Sequence, residues 1–93
     1  MRRKRHAGYK AKAQKIHAKR RCAQRYGFTL SDGIHDALVK QIHSGTATRV
    51  RKQSNRVTIF DVQHDGRTLR VVYDRNTQQI VTFLPRDKLL RLQ

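Results

Sequence analysis

Glutamate and tryptophan are absent from this chain of 93 residues, and cysteine and proline occur once each. All six acidic side chains are therefore aspartates, and three of them, Asp32, Asp65 and Asp74, lie in or beside apparent turns or helix caps. A two-metal nuclease needs several carboxylates that converge on its cations, so this distribution argues against one. Cys22 has no partner for a disulfide, the five histidines show no zinc spacing, and no glycine-rich phosphate loop occurs. We expect no bound cofactor and no metal.

Long apolar segments are also lacking. No stretch approaches the roughly 20 apolar residues of a membrane span, and the arginine-rich start lacks the apolar segment of a signal peptide. Residues 1–15 offer only Met1 and Tyr9 as large apolar side chains, too few for a helix lying on a membrane surface. Together with the lone cysteine, which suits a reducing compartment, this predicts a cytoplasmic protein without a membrane partner.

Positive charge is what the chain has in abundance. It carries 22 Lys and Arg against 6 acids, for a net charge of +16. Eleven of these cations precede the first acid, Asp32. Because Lys and Arg gain affinity for polyanions by neutralising phosphates, the composition predicts a nucleic-acid partner, and an acidic inhibitor protein would satisfy the same charge.

The first part of the chain predicts an arm and then a helix. Residues 1–10 are basic and lack apolar periodicity, so we expect a flexible arm, followed by a single domain over 11–93. From about Ala11 to Tyr26 the residues are good helix formers, and Gly27 stands where a left-handed C-cap belongs.

A second helix and four strands are expected to follow. Ser31 or Asp32 can cap the helix, and Gly45 can end it. Its apolar stripe recurs every four residues at Ile34, Leu38 and Ile42. Runs rich in β-branched residues then predict strands over 46–52, 56–63, 68–73 and 79–84. Tight connections such as His64-Asp65-Gly66 favour antiparallel pairing, and residues 88–92 can add a short terminal element. The predicted fold is α+β, with two N-terminal helices packed on a four-stranded antiparallel sheet.

Many of the cations are candidates for contact with phosphate groups. These are Arg2, Arg3, Lys4, Arg5, Lys10, Lys12, Lys15, Lys19, Arg20, Arg51, Lys52 and Arg56.

A smaller set of side chains is suited to chemistry on a phosphate. His17, Arg21 and Arg25 fall four residues apart, which aligns them on one face of the first helix. A phosphate would offset their mutual repulsion, although a helix this basic also places cations four apart by chance.

Alternation puts Leu69, Val71 and Tyr73 on one face of the third strand. Tyr73 is then either a core aromatic or a phenol that points into a cleft, and Thr82 is either an ordinary strand residue or a ligand-binding hydroxyl.

If such residues cleave nucleic acid without a metal, RNA is the favoured substrate. Its 2′-OH supplies the nucleophile for attack on the adjacent phosphate. The protein then needs only a base, an acid and cationic stabilisation.

Four features together resemble the RelE-like domains of the barnase, EndoU, colicin and RelE ribonuclease superfamily of bacteria and phages. They are the helix segment 17–27, a helix ending in Ser44-Gly45, the strand segment 70–74 and the last strand 80–85. The resemblance implies a compact α+β domain that is a toxin-like, metal-independent ribonuclease acting on tRNA or ribosome-bound mRNA. It also implies catalytic roles for His17, Arg21, Tyr73 and Thr82, and silencing by an acidic partner protein.

The sequence leaves two main functions open. In the first, His17 exchanges a proton, Arg21 and Arg25 stabilise charge, and Tyr73 or Thr82 positions the phosphate or the 2′-OH, so that His17 lies near one of the latter two in a shared concavity. In the second, the same cations bind nucleic acid or a ribosome without catalysis. Sequence-specific DNA binding is a weaker alternative, because a helix-turn-helix would not be followed by a four-stranded sheet.

Overall fold

The computed structural model describes residues 2–85, with side chains described from residue 10 onward. Two helices, α1 (Arg2–Tyr26) and α2 (Asp32–Ser44), precede all the strands. The strands are β1 (Thr48–Lys52), β2 (Val57–His64), β3 (Arg67–Asp74) and β4 (Gln79–Leu84). They form one antiparallel sheet in the order β1-β2-β3-β4. The α+β fold expected from the sequence, with both helices ahead of a four-stranded antiparallel sheet, is confirmed.

Helix α1 packs along β4. It begins at Arg2 instead of near Ala11, because lysine, arginine and alanine favour the helix through most of the segment assigned to a flexible arm. The Tyr26 hydroxyl fixes its other end by donating to the carbonyl oxygen of Leu84 (2.5 Å) and accepting from the N–H of Arg70 (3.1 Å). Neither described helix is long and apolar enough to cross a membrane.

Helix α2 has both of the caps that its sequence predicts. The Ser31 side chain accepts a hydrogen bond from the N–H of Ile34 (3.1 Å), satisfying one of the free donors of the first turn. Gly45 ends the helix in the left-handed conformation at φ 84°, which a glycine adopts without a steric penalty.

The two faces of the sheet differ in what covers them. Both helices lie on the same face, where they enclose the main core of Ala18, Cys22, Leu30, Leu38, Val39, Val62, Leu69, Val71, Tyr73, Ile80 and Phe83. The opposite face carries a smaller cluster around Ile59 and Val72. It also carries a buried bidentate ion pair, in which Nε and Nη2 of Arg70 contact the two carboxylate oxygens of Asp61 at 2.8 and 2.9 Å.

Two irregularities alter the alternation of side chains along the sheet. The β1–β2 register shifts between Arg49 and Arg51, and the β3–β4 register shifts between Val72 and Tyr73. The β2–β3 connection is the tight turn expected from the sequence, with Asp65 and Gly66 both at positive φ. The terminal element expected over 88–92 lies outside the described residues.

The last turn of α2 is joined to β2 by the side chain of Gln41. Strand β1 begins at Thr48, opposite Asp61, so the backbone groups of Gln63 lie beyond the end of the β1–β2 ladder. The Gln41 amide takes the place of a strand there: its Nε2 donates to the Gln63 carbonyl oxygen (2.7 Å) and its Oε1 accepts from the Gln63 N–H (2.9 Å). This pair of bonds sets the position of the residues that follow in α2.

Replacement of Gln41 tests this connection. We expect Gln41→Ala to lower the free energy of unfolding by about 1 to 2 kcal/mol, because two hydrogen bonds worth about 1 kcal/mol each are lost. Urea denaturation measures the change. Lys40→Ala, at an exposed position of the same helix, is the matched control and should stay within about 0.5 kcal/mol of the wild type. Equal effects of the two substitutions would show that the amide bonds contribute nothing.

Candidate active site

A cationic cleft of about 340 Å³ opens between the C-terminal turn of α2, the edge strand β1 and the two loops at one end of the sheet. The residues that line it are Ile42, His43, Arg49, Lys52, Asn55, Thr58, Phe60, Tyr73, Arg75 and Gln78. They come from α2, β1, β2, β3 and the two loops, so the cleft exists only in the folded protein. We refer to it as the α2–β1 cleft.

The strand register explains which side chains form its floor. Lys52 pairs with Thr58, and Thr58 pairs with Tyr73, so these three lie in one row on the helix-bearing face of the sheet. Arg49 and Phe60 form the next row toward α2. The register shift in β1 is essential here, because it allows Arg49 and Lys52 to share a face although they are three residues apart.

The closest polar contact in the cleft joins a histidine to a tyrosine. His43 Nε2 lies 2.7 Å from the Tyr73 hydroxyl, and the two rings meet edge to face at 5.9 Å. The phenol ring is buried in the main core, and Phe60 packs against it edge to face. Both readings of Tyr73 from the sequence therefore hold, since its ring is a core aromatic and its hydroxyl reaches the cleft.

Electrostatics keep this phenol neutral. Burial, with a smaller contribution from the negative charge of Asp74, raises the pKa of Tyr73 above its ordinary value. Burial alone would raise the pKa of Asp74 too, but hydrogen bonds from Gln14 and the Asn76 N–H, together with the charge of Arg56, outweigh it and lower that pKa. Tyr73 thus remains protonated at neutral pH, beside a carboxylate that remains ionised.

Positive charge dominates the walls of the cleft. Arg49, Lys52 and Arg75 line it together with His43, and no carboxylate occurs among its described lining residues. Long cationic side chains around a histidine and a phenol provide a site for an anion, with groups that can transfer protons beside it.

The structure brings only part of the predicted catalytic set together. Tyr73 lines the α2–β1 cleft, whereas His17, Arg21, Arg25 and Thr82 do not. Thr82 pairs with Val72, which places it on the opposite face of the sheet from Tyr73.

The predicted helix row makes contacts outside the cleft instead. Arg25 Nε donates to the Phe83 carbonyl oxygen (3.1 Å), and Arg21 Nη1 donates to Gln24 Oε1 (2.9 Å). His17 is half-buried on α1.

The predicted phosphate-contacting cations are spread over several surfaces. Of this set, Lys52 lines the α2–β1 cleft. Lys15 and Lys19 form ion pairs with Asp32 at 3.2 and 3.9 Å, and Lys12 and Lys15 line a shallow depression of about 210 Å³.

The remaining members of this set lie elsewhere. Arg51 is exposed and pairs with Ile59 of the other sheet face, and Arg56 Nη2 lies 3.8 Å from Asp74 Oδ2. Lys10 is half-buried and Arg20 exposed on α1, and Arg2, Arg3, Lys4 and Arg5 belong to the first turns of α1.

Sequence reasoning did not select His43, Arg49 or Arg75 as site residues, although Arg49 begins the basic segment 49–56 that includes the selected Arg51, Lys52 and Arg56. His43 immediately precedes the Ser44-Gly45 end of α2, so the helix-stop signal could have placed it at the sheet edge. Strict alternation would place Arg49 and Arg51 on the same face of the sheet. The neighbouring sequence contains no signal for the bulge that places them on opposite faces. Arg75 belongs to the β3–β4 turn, whose conformation places it at the cleft.

Comparison of the chain with protein-family models, with curated proteins and with solved structures finds no match. Within the described part of the chain, no group of three or more His, Cys or Asp side chains is arranged to hold a metal ion.

The protonation of Tyr73 provides a direct test of the site's electrostatics. The difference in phenolate absorbance between the wild type and Tyr73→Phe reports on Tyr73 alone. We expect the pH midpoint of this difference to lie above the ordinary pKa of tyrosine. The pKa of Tyr73 is higher in the folded than in the unfolded state, so the protonated phenol favours folding. This contribution to the free energy of unfolding is fully present at pH values below the unfolded-state pKa, and it is lost as the pH rises through the folded-state pKa. A spectrophotometric titration of both proteins measures the difference, and a midpoint at or below the ordinary value would contradict the buried environment.

Proposed function

We propose that this protein is a metal-independent endoribonuclease that binds RNA in the α2–β1 cleft. The observation that carries the proposal is the 2.7 Å contact between His43 and Tyr73 at the base of a cleft lined by three cations. Metal-free RNA cleavage needs a base, an acid and positive charge at one phosphate, and these are the groups that converge there.

The proposed reaction uses the RNA's own hydroxyl. The His43 imidazole accepts the proton of a 2′-OH at Nδ1, since Nε2 is bonded to Tyr73, and the 2′-oxygen forms a bond to the adjacent phosphorus. The bond from phosphorus to the 5′-oxygen breaks, and the Tyr73 phenol donates its proton to that leaving oxygen. The imidazolium then returns a proton to the phenolate across their hydrogen bond, which restores both groups and leaves a 2′,3′-cyclic phosphate.

The cations supply the electrostatic part of catalysis. Arg49, Lys52 and Arg75 stabilise the extra negative charge that develops on the phosphate oxygens in the transition state. The Tyr73 phenol is protonated at neutral pH and therefore has a proton to donate to the strongly basic leaving oxygen.

The proposal extends to the type of RNA that is cleaved and to the cellular compartment. The resemblance to RelE-like toxins, taken with the net charge of +16, favours tRNA or ribosome-bound mRNA in the cytoplasm as the target. An acidic protein that covers the cleft would inhibit it by occupying the site of the phosphate.

A second candidate function is RNA or ribosome binding without cleavage. The outward surface of α1 favours it, because Lys12, Lys19 and Arg20 are exposed there around the exposed Ile16. A cationic helix surface of this kind can track a phosphate backbone without a catalytic group.

Incubation of the purified protein with RNA in excess EDTA distinguishes the two. We expect the wild type to release fragments ending in 2′,3′-cyclic phosphate, and a 2′-deoxy substitution at the cleaved nucleotide to block the cut. His43→Gln and Tyr73→Phe should each lower the rate by about 10²- to 10⁴-fold, the usual contribution of proton-transfer groups.

His17→Ala is the matched control, because it removes a histidine that lies outside the cleft. It should retain the wild-type rate, and thermal unfolding should confirm that all three variants fold. Intact RNA whose mobility shift weakens steeply with salt would instead support the binding function. Loss of cleavage in His17→Ala but not in His43→Gln would contradict the proposed site.

A further inference from the structure

Gln78, in the β3–β4 connection, adopts a backbone conformation that its side chain does not favour. Its φ is 56°, in the left-handed region where glycine is the usual residue. In the described part of the chain, Asp65 is the other non-glycine residue at positive φ. Aspartate tolerates this region because its short side chain bonds locally, but glutamine gains no such compensation. Residues held in this way cluster at functional sites, where the side chain has a use.

The side chain of Gln78 lines the α2–β1 cleft, and so does that of Asn55 from the β1–β2 loop. Both residues are exposed, and neither side-chain amide has a hydrogen-bond partner within the described residues. Each amide offers a donor and an acceptor side by side, the pattern that matches the edge of a nucleobase. Phe60, on the floor between β1 and β3, provides an aromatic surface for a base.

The size of the cleft limits what can enter it. At about 340 Å³ it lies at the lower end of ligand pockets, which begin near about 300 Å³, so it holds one nucleotide unit and not a duplex. Sequence-specific recognition of RNA generally uses unpaired bases that are turned out and stacked on aromatic side chains.

We propose that Gln78 and Asn55 form a nucleobase subsite that recognises one unpaired base, packed against Phe60, beside the phosphate that is cleaved. Adenine is the expected base, because its N6 amine lies between two acceptors, N1 and N7, so that each of the two amides can pair with one edge, whereas uracil offers an adjacent donor and acceptor on one edge alone. This inference rests on the proposed ribonuclease function. It adds the residues that determine at which nucleotide the RNA is cut.

The substitution Gln78→Gly makes two predictions of opposite sign. The urea midpoint should rise, since glycine relieves the left-handed strain. The preference for adenine over uracil beside the cut, expected to be about tenfold in the wild type, should disappear. Asn55→Ala should weaken the same preference without raising the urea midpoint. Asp65→Gly is the matched control, because it makes the same change at a left-handed position outside the cleft and should leave the preference intact.

Binding measured without cleavage separates the failure of this inference from the failure of the proposed function. Fluorescence anisotropy with short oligonucleotides that carry 2′-deoxy sugars throughout should give tighter binding of oligo-adenine than of oligo-uracil to the wild type, and equal binding of both to Gln78→Gly. If RNA stays uncut but this difference is present, the ribonuclease proposal fails and the base subsite stands. Equal affinities in the wild type, or a preference that survives in Gln78→Gly, would overturn the subsite.

Discussion

The attachment of the last turn of α2 to strand β2 is the constraint on which the cleft depends. Leu38 buries the apolar face of the helix in the main core, and the Gln41 amide completes the hydrogen bonding of Gln63 where β1 does not reach. His43 is two residues beyond Gln41, so this attachment sets its distance from Tyr73. A histidine on a helix end and a phenol from the middle of the sheet are thereby held in contact before any ligand binds, which is the preorganisation that catalysis by charge and proton transfer requires.

The fold was predictable because each element carries its own local signal. The Ser31 and Gly45 caps delimit α2, the Asp65-Gly66 turn pairs β2 with β3, and short connections leave few alternatives to an antiparallel sheet. The start of α1 was not predictable in the same way. Lysine and arginine favour both a solvated arm and a helix, so their composition did not distinguish the two over residues 2–10.

The candidate site was only partly predictable because it depends on register and on packing between distant elements. The alternation of β3 placed Leu69, Val71 and Tyr73 on one face, and that expectation is confirmed. The pairing of Tyr73 with His43 joins residues 30 positions apart and requires the angle at which α2 crosses the sheet. The bulge in β1 moves Lys52 to the face of Arg49 and leaves Arg51 on the other, contrary to strict alternation. Sequence spacing favoured His17, Arg21 and Arg25 because helical periodicity can be read directly from the sequence. The convergence of distant residues in a cleft cannot be read in this way.

The most direct test of the account is the position of bound RNA relative to the histidine rings. Long-range proton–nitrogen spectra of protein labelled with ¹⁵N in its histidines, recorded while a short RNA with a 2′-deoxy substitution at its cut site is added, report on each ring separately. Our account predicts that the His43 Nε2 signal shifts as the phosphate binds beside it, while the His17 signals stay in place. Shifts of His17 with an unchanged His43 would place the RNA along α1 and contradict the account.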